Sequence, residues 1–286
     1  SGLLMGCAFA SAPFTVAELP DRDPTSEGPW SDVERTTLTV PLVPDGSISM
    51  DGVVSQEEYG NFPGQVVDPG ETAWTLPSPG GLWDNAEDTS FTFWLAHDTE
   101  YFYVGVDAKD DVVNQDNPEA LWKDDSIEII VDALNDRYDL NTDIAANDAF
   151  GGHNYVSHNA LFSDWDHDAD MRVEGGRWSN EVEWTLGEDG EVFSVGSEVD
   201  GGWHLEVRFA KSLFEVPDAG NKLEDGYVMG FNIGMDDDDK TGPDTGDLEL
   251  QYWWANRARL IGWNAEAAAN YTAEQIANGE HEKDFE

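Results

Sequence analysis

Phe91 to Asp132, FTFWLAHDTEYFYVGVDAKDDVVNQDNPEALWKDDSIEIIVD, holds three strand-like runs with an aromatic and acidic loop between the last two. Phe91 to Ala96 and Tyr101 to Lys109 are rich in aromatic and β-branched residues. The connection His97-Asp98-Thr99-Glu100 has a length that suits a hairpin, so the two runs are expected to pair antiparallel. In the second run Phe102, Val104, Val106 and Ala108 share one face, and Tyr101, Tyr103, Asp107 and Lys109 the other. That is the period-two pattern of a half-buried strand. The third run repeats it with Ile127, Ile129 and Val131 inward and Glu128 on the opposite face. Trp122 and Asp125 lie where the loop re-enters the sheet, after the polar, turn-forming stretch Asn114 to Glu119.

Outward from this stretch, similar alternation is predicted at 181–186, 191–197, 203–209 and 227–235. Trp203, Leu205, Val207 and Phe209 point inward in one of these runs, and Tyr227, Met229, Phe231, Ile233 and Met235 in another. Ala210 to Phe214 reads as a short helical turn. Ser49 to Tyr59 reads as a short strand, an Asp-Gly turn and an acidic helical turn, and the Gly- and Pro-rich 62–90 as a long loop. Nearly all the regular structure is β. The expected fold is therefore an all-β antiparallel β-sandwich, jelly-roll or immunoglobulin-like, with long loops and short helices.

Four parts are expected along the chain. Residues 1–12 read as the remnant of an export signal or the end of a lipoprotein signal. Residues 13–45 read as an extended arm or linker, 46–264 as the sandwich, and 265–286 as a C-terminal helix or tail. Leu3-Leu4-Met5-Gly6-Cys7 resembles the end of a lipoprotein export signal, which makes Cys7 the candidate lipidation site, and Ala8 to Ala12 offers A-x-A cleavage patterns. Both readings imply an exported, extracellular or cell-surface protein, touching membrane only through such an anchor. No run reaches the ~18 apolar residues that a membrane-spanning helix needs.

Charge excludes whole classes of partner. Against 60 acidic residues stand 14 basic ones, a formal net charge of -46 at pH 7. A phosphate backbone or an anionic lipid surface would be repelled, so nucleic acid is set aside. Such acidity suits high salt, calcium-rich surroundings or neutral ligands such as sugars. Hydrophobic residues at 40% and aromatic residues at 12% still provide for a packed core. The single cysteine excludes a disulfide framework within the chain.

The order of motifs over 46–264 resembles the family 9 carbohydrate-binding modules of the DOMON-like β-sandwich superfamily. The resemblance is carried by Met50-Asp51-Gly52 with Glu58-Tyr59, and by Thr99 to Val104 with Lys109-Asp110-Asp111-Val112. It continues in Leu121-Trp122-Lys123-Asp124-Asp125-Ser126-Ile127-Glu128-Ile129, and in Gly230-Phe231-Asn232-Ile233 leading into Asp236 to Gly242. It implies a non-catalytic binder that holds a glycan end between two indole rings while a carboxylate bonds its hydroxyls. By position Trp122 resembles the first clamp ring and Glu128 the carboxylate, with Asp125 beside them. Trp263 matches the second ring, with Trp254 as runner-up. The sequence departs from the family at Gly234, where a polar residue is usual.

The row Asp236-Asp237-Asp238-Asp239 before Gly242 offers hard oxygen ligands suited to Ca2+, with Asp236 and Asp238 as the candidate ligands and Asp51 as a weaker third. Structural calcium is common in the resembled family. His153 to His158 with Asp164, Asp166, His167 and Asp168 matches no closed zinc spacing. No nucleophile elbow, P-loop or dinucleotide fingerprint occurs, so the chain is expected not to be an enzyme. Two alternatives stand beside the polysaccharide or oligosaccharide binder. One is a structural cell-surface or filament-forming protein that self-assembles from the same sandwich; the other is a haem-binding redox subunit of the DOMON-like type.

Overall fold

The computed structural model describes residues 13–18, 36–69, 74–77, 85–114, 124–133, 154–160, 173–175, 188–214, 222–224, 226–239 and 250–254. These form strands β1 (Phe14–Glu18), β2 (Thr37–Val40), β3 (Gln65–Val67), β4 (Trp74–Pro77), β5 (Thr89–His97), β6 (Tyr101–Asp110) and β7 (Ser126–Asp132). They are followed by β8 (Asn154–Ala160), β9 (Val173–Gly175), β10 (Val192–Val199), β11 (Gly202–Ala210), β12 (Val228–Asp237) and β13 (Leu250–Trp253). The only helical element among the described residues is the 3-10 turn Lys211–Leu213, where the sequence predicts a helical turn. None of their helices is long and apolar enough to cross a membrane.

The strands form two sheets. Sheet A runs β2-β1-β12-β7-β8-β9, with β13 on the second half of β12 and β4 beyond β13; sheet B runs β10-β11-β6-β5-β3. The predicted hairpin is the centre of sheet B, with Leu95 opposite Val104 and Phe93 opposite Val106. In sheet A, β7 lies antiparallel to β12, with Ile129 opposite Ile233 and Glu128 opposite Gly234.

Period-two alternation turns the apolar set of each strand into the space between the sheets. Phe93, Leu95, Phe102, Val104, Val106, Leu205 and Val207 from sheet B, with Ile127, Ile129, Phe231, Ile233 and Met235 from sheet A, are all buried. Aromatic edges lock the layers together. Phe231 of sheet A meets Phe93 at 6.0 Å and Phe102 at 6.2 Å of sheet B, the latter ring perpendicular. Tilted and edge-on pairs at such spacings are favourable beyond the area they bury.

Three departures from the sequence-based expectation have a common cause. The extended arm supplies two strands of sheet A, with β1 parallel to β12 and antiparallel to β2. The expected 62–90 loop contains β3 and β4, which pair with β5 and β13. Between the predicted runs, where the sequence reading placed no strand, β8 and β9 extend sheet A beyond β7. In each case a short segment becomes a strand because an edge offers it a ladder of hydrogen bonds, a tertiary cause that local pattern does not record. The short strand expected near Ser49 is not formed. Residues 50–62 turn over the outer face of sheet B instead, where Tyr59 is fully buried.

That strap is tied by one carboxylate. Glu206 on β11 accepts the N–H groups of Asp51 and Gly52 on Oε2, at 3.0 and 2.9 Å, and the Tyr59 hydroxyl on Oε1 at 3.2 Å. Glycine at 105, opposite Glu206, makes room: a Cβ there would stand 2.5 Å from the Tyr59 ring. Burial raises the Glu206 pKa to about 7 against its three donors, with the Asp51 carboxylate adding to the rise. A carboxyl whose folded pKa lies above its unfolded value, here 4.5, contributes most stability below that value. The contribution is lost as pH climbs through about 7. Wild type is therefore expected to lose more stability than Glu206→Gln between pH 5 and pH 8.5 in paired thermal melts. Parallel pH profiles would show that Glu206 does not set this dependence.

Candidate functional site

The outer face of sheet A carries a polar array that its strands fix by register. Gln251 of β13 pairs with Asp236 of β12, which in turn pairs with Ser126 of β7. Gln251 Nε2 donates to Asp236 Oδ1 at 2.6 Å and to Glu128 Oε1 at 3.2 Å, and Ser126 Oγ donates to Asp236 Oδ2 at 3.0 Å. Glu128 is 3% and Gln251 4% exposed. Burial, then the neighbouring Glu128 charge and the hydrogen bond between the two carboxyls, push the Asp236 pKa well above the usual range. Desolvation and the neighbouring carboxyl therefore disfavour a charge on Asp236.

Gly234 lies on the same face, and its lack of a side chain has a steric reason. A Cβ there would stand 2.5 Å from the Trp253 ring, which is fully buried. Trp253 thus occupies the space above Gly234. Trp254 turns the other way, half-buried, with its ring 5.6 Å from Phe93 and 6.2 Å from Phe231. The ring on the outer face is therefore Trp253, and the runner-up clamp residue Trp254 packs on the core.

A second constellation sits at one end of the sandwich, where the sheets meet. Asp110 ends β6 of sheet B and Asp237 ends β12 of sheet A. With Asp239 they bring carboxylate oxygens within 4.8 Å of one another. Asp88, Asp111 and Asp239 form an overlapping group, their oxygens also within 4.8 Å of one another. Asp237 is 3% exposed, and its Oδ1 has no hydrogen-bond donor. Asp110 receives Trp203 Nε1–H at 3.0 Å and the Val112 N–H at 2.9 Å. Burial raises the pKa of both carboxyls. For Asp237 the charges of Asp110 and Asp239 add to the rise. Crowded, desolvated carboxylates of this kind require protons or a hard cation, and the donor set is the all-oxygen set that calcium takes.

The expected metal ligands are distributed differently. Asp236 belongs to the polar array on the outer face of sheet A. Asp238 is buried and receives Asn114 Nδ2–H on Oδ2 at 3.2 Å. Asp51 is exposed, and its Oδ1 caps the Val53 N–H at 3.0 Å. Asp237 and Asp239 hold the clustered positions instead. Strand period contained the signal, since with Ile233 and Met235 inward Asp237 falls on the inward side at the sandwich's end. Asp125 is fully buried, and both of its oxygens accept backbone N–H groups, from Asn114 on Oδ2 and from Asp238 on Oδ1 at 2.8 Å. Gln251 and Trp253 were not foreseen as site residues. Trp122, Trp263, Cys7 and the His153 and Asp164 to Asp168 positions lie outside the described residues.

Comparison with known proteins gives the chain a family. A carbohydrate binding module of family 9 from Caldicellulosiruptor kristjanssonii, solved with cellotriose, is 17% identical, covering 76% of this chain and 86% of its own, at a TM-score of 0.48. The same module solved with glucose gives 17% identity, 76% and 88% coverage and 0.48. A carbohydrate-binding protein from Bacteroides uniformis, named as such provisionally, is 12% identical over 74% of this chain and 88% of its own, at 0.40. No curated protein matches the chain. The profile described as "Carbohydrate family 9 binding domain-like" matches residues 70–273, well over half of the 286-residue chain, and the chain belongs to that family.

Proposed function

We propose that this domain binds the end of an oligosaccharide or polysaccharide on the outer face of sheet A, without catalysis, and that calcium at the acidic cluster stabilises the fold. The observation that carries the first part is the pairing of the Glu128 carboxylate with the Gln251 carboxamide at 3.2 Å. Both Nε2 hydrogens of Gln251 are committed to Glu128 and Asp236, so what the planar pair offers to neighbouring sugar hydroxyls is acceptor oxygens. The pair is already buried and held by Asp236. Docking a hydroxyl therefore costs little further desolvation or ordering, which is the advantage of preorganisation. In the family's terms Trp122 and Trp263 supply the apolar walls against which the C–H face of a sugar ring packs.

Titration calorimetry with glucose and cellotriose, in calcium, tests the site. Trp122→Ala is expected to abolish measurable binding. Glu128→Gln loses a charge-assisted hydrogen bond of about 1.5–3 kcal/mol, a weakening of roughly 10- to 150-fold. Wild-type affinity retained in both variants would reject the site.

For the cation, the fitting residues are Asp110, Asp237 and Asp239, with Asp88 and Asp111 alongside, and the buried Asp237 Oδ1 without a donor is the observation in their favour. A bound calcium would neutralise carboxylates drawn from both sheets and so join β6 to β12 at the end of the sandwich.

A further inference from the structure

We propose that Asp125 is a positioning residue that couples the cation cluster to the carbohydrate face, so that calcium and sugar strengthen each other's binding. The inference rests on the carbohydrate and calcium readings above. Asp125 is fully buried with both oxygens on backbone N–H groups, so it does not meet a ligand itself. What it meets are two segments that the cluster also holds.

On one side, Asp125 Oδ1 takes the N–H of Asp238, the residue between Asp237 and Asp239. On the other, Oδ2 takes the N–H of Asn114, in the segment that leaves β6 after Asp110 and Asp111. Two more bonds close the same knot: Asn114 Nδ2 to Asp238 Oδ2 at 3.2 Å, and the Asp125 N–H to the Asn114 carbonyl at 3.2 Å. A cation that fixes Asp110 relative to Asp237 and Asp239 therefore fixes the spacing that Asp125 spans.

The carbohydrate face begins directly beyond the knot. Asp125 is followed in β7 by Ser126 and Glu128 of the polar array. Residues 115–124, with Trp122 among them, lie in sequence between Asn114 and Asp125, the two residues whose backbones meet. Without the cation the like charges of the cluster push these segments apart, and the entropy of ordering the knot is charged against sugar binding. With the cation in place that ordering is already done. Coupling of this kind is reciprocal by thermodynamic necessity and is typically about 5- to 150-fold.

The test is a coupling cycle on the full chain, with calcium chloride and cellotriose titrated alone and in the presence of the other in 1 M KCl, for wild type and Asp125→Asn. Wild type is expected to bind each ligand at least roughly five-fold tighter when the other is bound, by the same factor both ways. In Asp125→Asn each ligand still binds, with a factor near one. An undiminished factor in the variant, or none in wild type, overturns the proposal.

Amide hydrogen exchange supplies a readout that needs no sugar. Calcium is expected to slow exchange across 111–126 relative to β10 in wild type, and to leave that ratio unchanged in Asp125→Asn. If wild type binds no saccharide, the carbohydrate reading fails, and the exchange result alone decides whether Asp125 links the cluster to this segment. Should Asp125→Asn not fold, Asn114→Ala removes the bond to Asp238 and carries the same two measurements.

Discussion

Chelation of calcium is expected to lower the thermal unfolding midpoint by roughly 5–10 °C. Calcium held at a hundred times its dissociation constant stabilises the folded state by about 2.7 kcal/mol, and each kcal/mol moves the midpoint of a domain of this size by roughly 2–4 °C. The structural reason is that Asp110, Asp237 and Asp239 place oxygens within 4.8 Å of one another, the first two on buried side chains. Removing the cation leaves the mutual repulsion that raises the Asp237 pKa.

Asp237→Asn separates this account from a general effect of divalent ions. The amide keeps the shape and removes a charge, so the variant should melt above wild type in chelator and show a smaller rise on adding calcium. The crossing of the two curves is the signature. A midpoint in wild type that ignores chelation would remove calcium from this cluster.

The core was legible because every second residue is apolar and buried over Phe102 to Ala108, Ile127 to Val131, Trp203 to Phe209 and Met229 to Met235. Phe102 to Ala108 and Ile127 to Val131 needed only the period of two. The outer face of sheet A was half legible. Glu128 stands out as a carboxylate amid isoleucines, but Gln251 and Trp253 acquire meaning only through the register of β13 with β12. Adjacent tryptophans at 253 and 254 could be told apart only by that register, and Gly234 explains itself only once the Trp253 ring lies over it.

Other features were hidden by distance along the chain. Phe14–Glu18 is a five-residue run within a Pro- and Asp-rich stretch, and its parallel partner begins at Val228. Parallel pairing across such a separation leaves no local mark. The acidic cluster joins residues near 88, 110 and 238 through the meeting of two sheets. Among 60 acidic residues no spacing rule picks those out. The tetrad 236–239 pointed to the neighbourhood, while the alternation of β12 decides that Asp236 faces Glu128 and Asp237 faces the cluster.

Raising potassium chloride from 0.1 to 2 M at constant calcium is expected to lift the unfolding midpoint by roughly a further 5–10 °C. Two like charges about 10 Å apart in water repel by about 0.4 kcal/mol. At a formal net charge of -46 many such pairs exist, so a few tens of unscreened ones sum to several kcal/mol. Part of that repulsion persists in the unfolded chain, which halves the expected gain. The screening length falls from about 10 Å at 0.1 M to about 3 Å at 1 M, so most of the rise should be complete by 1 M. Buried groups respond differently. In the cluster Asp110 and Asp237 are buried and Asp239 partly so, which limits screening by diffuse ions, so chelation in 2 M potassium chloride should still lower the midpoint. If molar salt abolishes the effect of chelation, calcium is acting as one more screening ion and the cluster is no site. If salt has no effect below 1 M, the acidic surface is not what limits this fold, and the buried carboxyls alone govern its stability.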